Sequence, residues 1–114
     1  MLRIRLSAKA QADILHILEW THDRYGGGMR ERYERLLSSS LRDLLADPLC
    51  FGSVARPELG EEVRSYHLRT NRKKAGIVRP RHLILYRVRA TTVEIGRVLH
   101  DAMEQERHLT FDFP

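Results

Sequence analysis

MRERYERLLSSSLRDLL, residues 29–45, decides the fold. Met29, Tyr33, Leu36, Leu37, Ser40, Leu41, Leu44 and Leu45 recur three and four apart, which on an α-helix gathers them into one stripe opposite a side rich in Arg and Glu. Asp47-Pro48 ends this helix, because the proline ring disfavours a helical conformation at the residue before it. Upstream, Gly26-Gly27-Gly28 cannot sustain a helix cheaply and permits positive φ, so the chain is expected to stop and reverse there. Before the glycines, Ala10, Ile14, Ile17, Leu18, Thr21 and Tyr25 share one face of a first helix, with Ser7 as its N-cap. Two amphipathic helices joined by a short turn pack antiparallel and leave part of each stripe for another layer to cover.

That layer is a sheet. Leu2 to Leu6 alternates apolar residues with Arg3 and Arg5, the period of a half-buried strand. Pro48 to Glu62 is punctuated by Pro48, Gly52, Pro57 and Gly60 and reads as a loop. Val63 to Arg69, His82 to Arg89 and Val93 to Leu99 are rich in Val, Ile, Leu and Tyr and read as strands. Ala90-Thr91-Thr92 joins the last two as a hairpin, whereas Thr70 to Arg81 reads as an exposed basic excursion. The order predicts a single α+β domain over residues 1–114: an N-terminal strand, an antiparallel helical hairpin, then a three-stranded antiparallel run. The sheet is mainly antiparallel, with the helices on one face and the other face open to solvent.

The chain has 114 residues and a formal charge of +5. Its single cysteine, Cys50, cannot form an internal disulfide, and it reads as a small apolar filler with no adjacent base to activate it. Met1-Leu2-Arg3-Ile4-Arg5 lacks the apolar core of a signal peptide, and no apolar run reaches the ~18 residues of a membrane span, so a cytoplasmic setting is expected. From Val63 to His100 ten Lys or Arg face one acid, Glu94, a net +9, while the remainder carries ten basic and fourteen acidic residues, a net −4. Charged residues also guard sheet edges. So one-sided a distribution goes further and predicts an anionic partner: nucleic acid, an enzyme that handles it, or an acidic protein segment. Within the basic stretch the aromatics are only Tyr66 and Tyr86, too few for a dedicated single-strand platform.

Arg97-Val98-Leu99-His100-Asp101-Ala102-Met103-Glu104-Gln105-Glu106-Arg107-His108-Leu109, preceded by Leu85-Tyr86-Arg87-Val88 and Val93-Glu94-Ile95, resembles the C-terminal half of ParE-type toxins of the RelE/ParE superfamily. Leu6 to Ile14, Leu45-Ala46-Asp47-Pro48, and Pro57-Glu58-Leu59-Gly60 leading into Val63-Arg64-Ser65 follow the same family in the same order. The chain departs from the simplest family pattern in its triple-glycine turn and in the extended basic stretch from Arg72 to Arg81. The resemblance implies the toxin of a type II toxin-antitoxin module that inhibits DNA gyrase by stoichiometric binding. A cognate antitoxin would neutralise it, in a hetero-oligomer, through an acidic amphipathic segment. Residues expected to contact the target are Arg72, Lys73, Lys74, Arg79 and Arg81, with Arg87 and Arg97 behind them; no cofactor or metal is called for.

The superfamily also holds ribosome-dependent mRNA endoribonucleases, which gather His, Glu, Tyr, Lys and Arg on one sheet surface. Tyr86, Arg87, Glu94, Arg97 and His100 are the candidates here, and Tyr86, Arg97 and His100 would be the catalytic set. In an unbulged strand, however, Arg97 and His100 point to opposite faces; using both would need the strand to end or bulge before His100, and a bulge at Gly96, which lies before Arg97, would not by itself bring them together. The plainer expectation is that Arg97 pairs with a carboxylate or carbonyl and His100 closes the strand. An inactive antitoxin-binding module is a third reading. His100, Glu104 and His108 would share a face if the tail were helical, a spacing too common to indicate a metal. His16, His22, His67 and His82 are scattered and suggest no nucleophilic triad.

Overall fold

The computed structural model describes residues 1–111 and 113. Its elements in chain order are strand β1 (Arg3–Leu6), helices α1 (Ala8–Tyr25) and α2 (Gly27–Ala46), strands β2 (Ser53–Ala55) and β3 (Arg64–His67), the single-turn helix α3 (Arg72–Ala75), strands β4 (His82–Arg89) and β5 (Thr92–His100), and the single-turn helix α4 (Gln105–His108). One-turn 3₁₀ segments at Pro57–Leu59 and Leu68–Asn71 lead into and out of β3. The strands form one sheet in the order β1-β5-β4-β3-β2, antiparallel except for the parallel pair β1 and β5. The expected α+β architecture is present.

The helical hairpin packs on one sheet face. Leu36, Leu37 and Leu44 of α2 and Ile17 of α1 meet Tyr66, Ile84, Tyr86, Val93, Ile95 and Val98 in the main core. Ser7 caps α1 as expected, its Oγ accepting from the Ala10 amide at 2.9 Å and donating to the Gly96 carbonyl at 2.6 Å. The second bond reaches β5 just where β1 ends, so the N-terminus of α1 takes over the exposed strand edge.

Four expectations are corrected. Only Gly26, at φ 88, forms the reversal; Gly27 and Gly28 are already the first turn of α2, because one residue in that conformation suffices to break the ladder between the helices. The Pro48–Glu62 segment contains β2, which pairs Ser53, Val54 and Ala55 with Tyr66, Ser65 and Arg64, and three residues are too few to show a strand period. The hairpin loop is Ala90-Thr91, with Ala90 at φ 52 and Thr92 already paired to Arg89. The second sheet face is not open: Leu83, Leu85 and Leu99 lie there beneath Leu59 and Leu109, brought over by the 3₁₀ turn and the C-terminal segment. Gly96 admits that segment, since a Cβ there would lie 2.6 Å from the Thr110 carbonyl oxygen.

Candidate functional site

The Thr70–Arg81 excursion is not a free loop. Asn71 is buried, and its Nδ2 donates to Asp43 Oδ2 at 2.7 Å and to the Tyr66 hydroxyl at 3.0 Å, while that hydroxyl donates to Asp43 at 3.1 Å. Ala75 and Ile77 enter the main core, and Gly76, at φ 68, ends α3 by donating its amide to the Arg72 and Lys73 carbonyls. With Asn71, Ala75 and Ile77 fastened beneath it, α3 holds Arg72, Lys73 and Lys74 outward, and Arg79 is likewise exposed. The run of three cations was visible in the sequence, but the burial of Asn71 before it was not, because it depends on Asp43 and Tyr66.

The structure divides the predicted cations in two. Arg81 makes a two-point pair with Asp101 at 2.9 Å, which also accepts from His67 Nε2 at 2.9 Å; these donors hold the Asp101 carboxyl down at about 2. Arg87 is paired with Glu94 across the hairpin at 2.7 Å and lies over the Phe111 ring, 4.2 Å from its centroid. Arg97 binds Asp13 through Nε at 2.7 Å and Nη2 at 2.8 Å and donates to the His108 carbonyl. Asp13 also accepts the Val98 amide at 2.9 Å, standing in for a strand partner beyond the end of β1. By contrast, among the described residues the side chains of Arg69, Arg72, Lys73, Lys74 and Arg79 have no acidic partner. Other exposed cations without an acidic partner among the described residues, Arg3, Lys9, Arg24, Arg32, Arg35 and Arg42, lie on β1 and the helices, so within the basic Val63–His100 segment it is the turn around α3 that groups the unpaired cations.

Tyr86, Arg97 and His100 do not meet. The strand is irregular at Gly96, where Leu85 faces Arg97 while Tyr86 faces Ile95, and this bulge does not bring Arg97 and His100 together. Tyr86 is buried, and its hydroxyl contacts the Ser53 hydroxyl and the Pro48 carbonyl at the β2 side of the sheet. His100 pairs with His82 at the other end of β4, four residues from Tyr86 and hence roughly 13 Å along the strand. Its Nδ1 accepts from the Ala102 amide at 3.1 Å, which closes the strand as expected. The tail has only the single turn α4, so His100, Glu104 and His108 do not share a helical face, and no metal-ligating cluster occurs among the described residues. Cys50 packs against the core, where burial and the neighbouring Asp43 and Asp47 push its thiol up, away from the nucleophilic thiolate.

A second feature escaped sequence reasoning. Between α1, α2 and the Ile77–Arg81 segment lies a groove of about 370 Å³ walled by Trp20, Tyr25, Met29 and Val78, with Arg32, Arg79 and Arg81 around it. At its floor the Tyr33 hydroxyl is 2.6 Å from His82 Nδ1, and the His82 and His100 rings meet edge to face at 5.4 Å. Burial, with His100 nearby, brings His82 down to about 4, and burial pushes Tyr33 up to about 12. Both are therefore neutral at pH 7, and the phenol donates to the imidazole. Such a floor can hydrogen-bond a guest; no serine or cysteine lines it, and its Thr21 hydroxyl donates to the Ile17 carbonyl at 2.7 Å.

Among the described residues, no helix is long and apolar enough to cross a membrane. The sequence matches the family model described as ParE toxin of type II toxin-antitoxin system, parDE, over residues 4–105. Toxin ParE1 of Mycobacterium tuberculosis (strain CDC 1551 / Oshkosh) is 30% identical over 108 residues, 94% of this chain and 97% of the relative, and the protein of the same name from strain ATCC 25618 / H37Rv matches to the same extent. A chain of the chromosomal ParDE system from P. aeruginosa has the same fold, with a TM-score of 0.64, 17% identity, and coverage of 88% of this chain and 96% of that one. On a match running from β1 to the start of α4, the chain belongs to the ParE toxin family of type II toxin-antitoxin systems.

Proposed function

We propose that this toxin inhibits DNA gyrase by binding it, or its complex with DNA, stoichiometrically in the cytoplasm, and that a cognate antitoxin neutralises it. The observation that carries the reading is the group of exposed cations without acidic partners, Arg72, Lys73, Lys74 and Arg79, held on a turn whose underside is anchored. Unpaired charge on a rigid support retains its full field for a partner and loses little entropy on binding. Arg81, Arg87 and Arg97 have carboxylate partners and serve the support more than the contact. The separation of Tyr86, Arg97 and His100 gives no support to the endoribonuclease reading.

For the antitoxin, the aromatic groove between the helices and the Ile77–Arg81 segment suits an apolar anchor on an acidic segment, because arginines surround its apolar wall. The two partners would then meet overlapping surface through Arg79, which makes neutralisation a competition. The test replaces Arg72, Lys73, Lys74 and Arg79 by Gln, sparing Arg81 for its structural pair, and measures gyrase supercoiling and plasmid cleavage beside antitoxin affinity. Gyrase inhibition should fall at least ten-fold in a folded variant. Unchanged inhibition would refute the assignment, and cleavage of ribosome-bound mRNA on induction would replace it with the nuclease.

A further inference from the structure

The cationic turn has an aromatic companion from another part of the chain. Phe51, in the loop between α2 and β2, lines one open recess of about 470 Å³ with Arg69, Arg72, Lys73 and Lys74. It is 92% exposed and contributes nothing to the core. Its place beside the turn is nevertheless set: the next residue, Gly52, has φ 96, and a Cβ there would sit 2.6 Å from Thr70 Oγ1. The absence of a side chain at residue 52 lets the loop close against Thr70, one residue before the Asn71 anchor. Tyr66 and Tyr86, the aromatics of the basic segment itself, are fully buried and unavailable for stacking.

We propose that this recess binds a single-stranded nucleic acid, one unpaired base stacking on the Phe51 ring and the flanking phosphodiesters resting on Arg69, Arg72, Lys73 and Lys74. It rests on the gyrase reading only for where such a strand is met, the gyrase–DNA complex. The chemistry favours a nucleotide over an acidic peptide. Phe51 is the one large apolar side chain of the recess, so a peptide's apolar anchor has no pocket to fill, whereas a base needs only a ring face. Lysine offers a point charge suited to a phosphate, and the closely grouped cations follow a charged backbone. Their fixed support means that little ordering is required when the strand arrives.

The test is fluorescence anisotropy of a labelled oligothymidylate of about 12 nucleotides with the full-length chain, beside an oligouridylate of equal length and a duplex, from roughly 50 to 200 mM salt. Saturable binding should favour the single strands over the duplex, with a log–log salt slope near −3, about −0.7 for each of four phosphates. Phe51→Ala should weaken single-strand binding about ten-fold with the slope unchanged, and Phe51→Trp should retain it. Replacing Arg72, Lys73 and Lys74 by Gln should remove about 2 from the slope. A preference between the two single strands would identify the polymer and leave the proposed chemistry intact. The proposal is overturned by no binding at the lowest salt, by Phe51→Ala having no effect on single-strand binding, or by the duplex binding better than the single strands. It is also overturned if Phe51→Ala impairs gyrase or antitoxin binding but not oligonucleotide binding, which would make the ring a protein contact. A chain that binds the strand yet leaves gyrase uninhibited would refute the function proposed above and keep this inference.

Discussion

Acidification from about pH 7.5 to about pH 5 should weaken the fold through His82. Burial is the largest cause of its low folded pKa, His100 and His67 add to it, and Asp101 and Asp13 oppose it. The folded value of about 4 lies below the ordinary 6.5, so between those limits the unfolded chain binds more protons than the folded one. Stability is therefore fully present above about pH 6.5 and is lost as pH falls toward 4. Integrating the difference gives about 2 kcal/mol lost between pH 7.5 and 5, corresponding to roughly 10 °C in Tm for a domain of this size. The imidazole accepts from Tyr33 and its ring meets that of His100 edge to face, so protonation removes an acceptor and places a charge in a partly buried, aromatic-walled site. Urea unfolding across this range, with an NMR titration of the His82 ring, measures both halves of the argument. His82→Phe, which keeps an edge-to-face ring, should reduce the acid loss by most of that amount even if it is less stable at pH 7.5. Equal losses in the parent and the variant, or a His82 ring that titrates near 6.5, would refute the reasoning.

Two further predictions concern the support. Leu36→Ala should cost about 2 to 5 kcal/mol, because Leu36 is fully buried, whereas Leu41→Ala should cost less, since Leu41 lies at the margin of the stripe; urea midpoints at constant m decide the order. Asp13→Ala should cost about 2 to 4 kcal/mol by leaving the half-buried Arg97 guanidinium and the Val98 amide without their acceptor, and Asp13→Ala combined with Arg97→Met should be less destabilised than the single variant in the same assay.

The two helices, the Ser7 cap, the Pro48 stop and the β4–β5 hairpin were legible because each rests on interactions between residues near in sequence, at a period of 3.6 or 2. Strand β2 was not legible, since three residues carry no period and pair only because β3 offers a free edge. The pairing of Arg97 with a carboxylate was foreseen, but its partner, Asp13, stands 84 positions away in the chain. The C-terminal cover of the second sheet face escaped notice for a related reason. Leu109 and Phe111 show no regular pattern, and they find their place only when Gly96 leaves room for them.

For the site, the sequence alone established a basic C-terminal half, its family resemblance and the residues that carry the charge. Tertiary structure decided which charges remain available: Asp101, Glu94 and Asp13 engage Arg81, Arg87 and Arg97, while the cations around α3 keep theirs. It also set Phe51 beside those cations and His82, half-buried, against Tyr33. The division has one physical cause. Charge and period are properties of a segment, but neutralisation, desolvation and stacking depend on what lies a few ångströms away in space, and for these residues the neighbours come from distant parts of the chain.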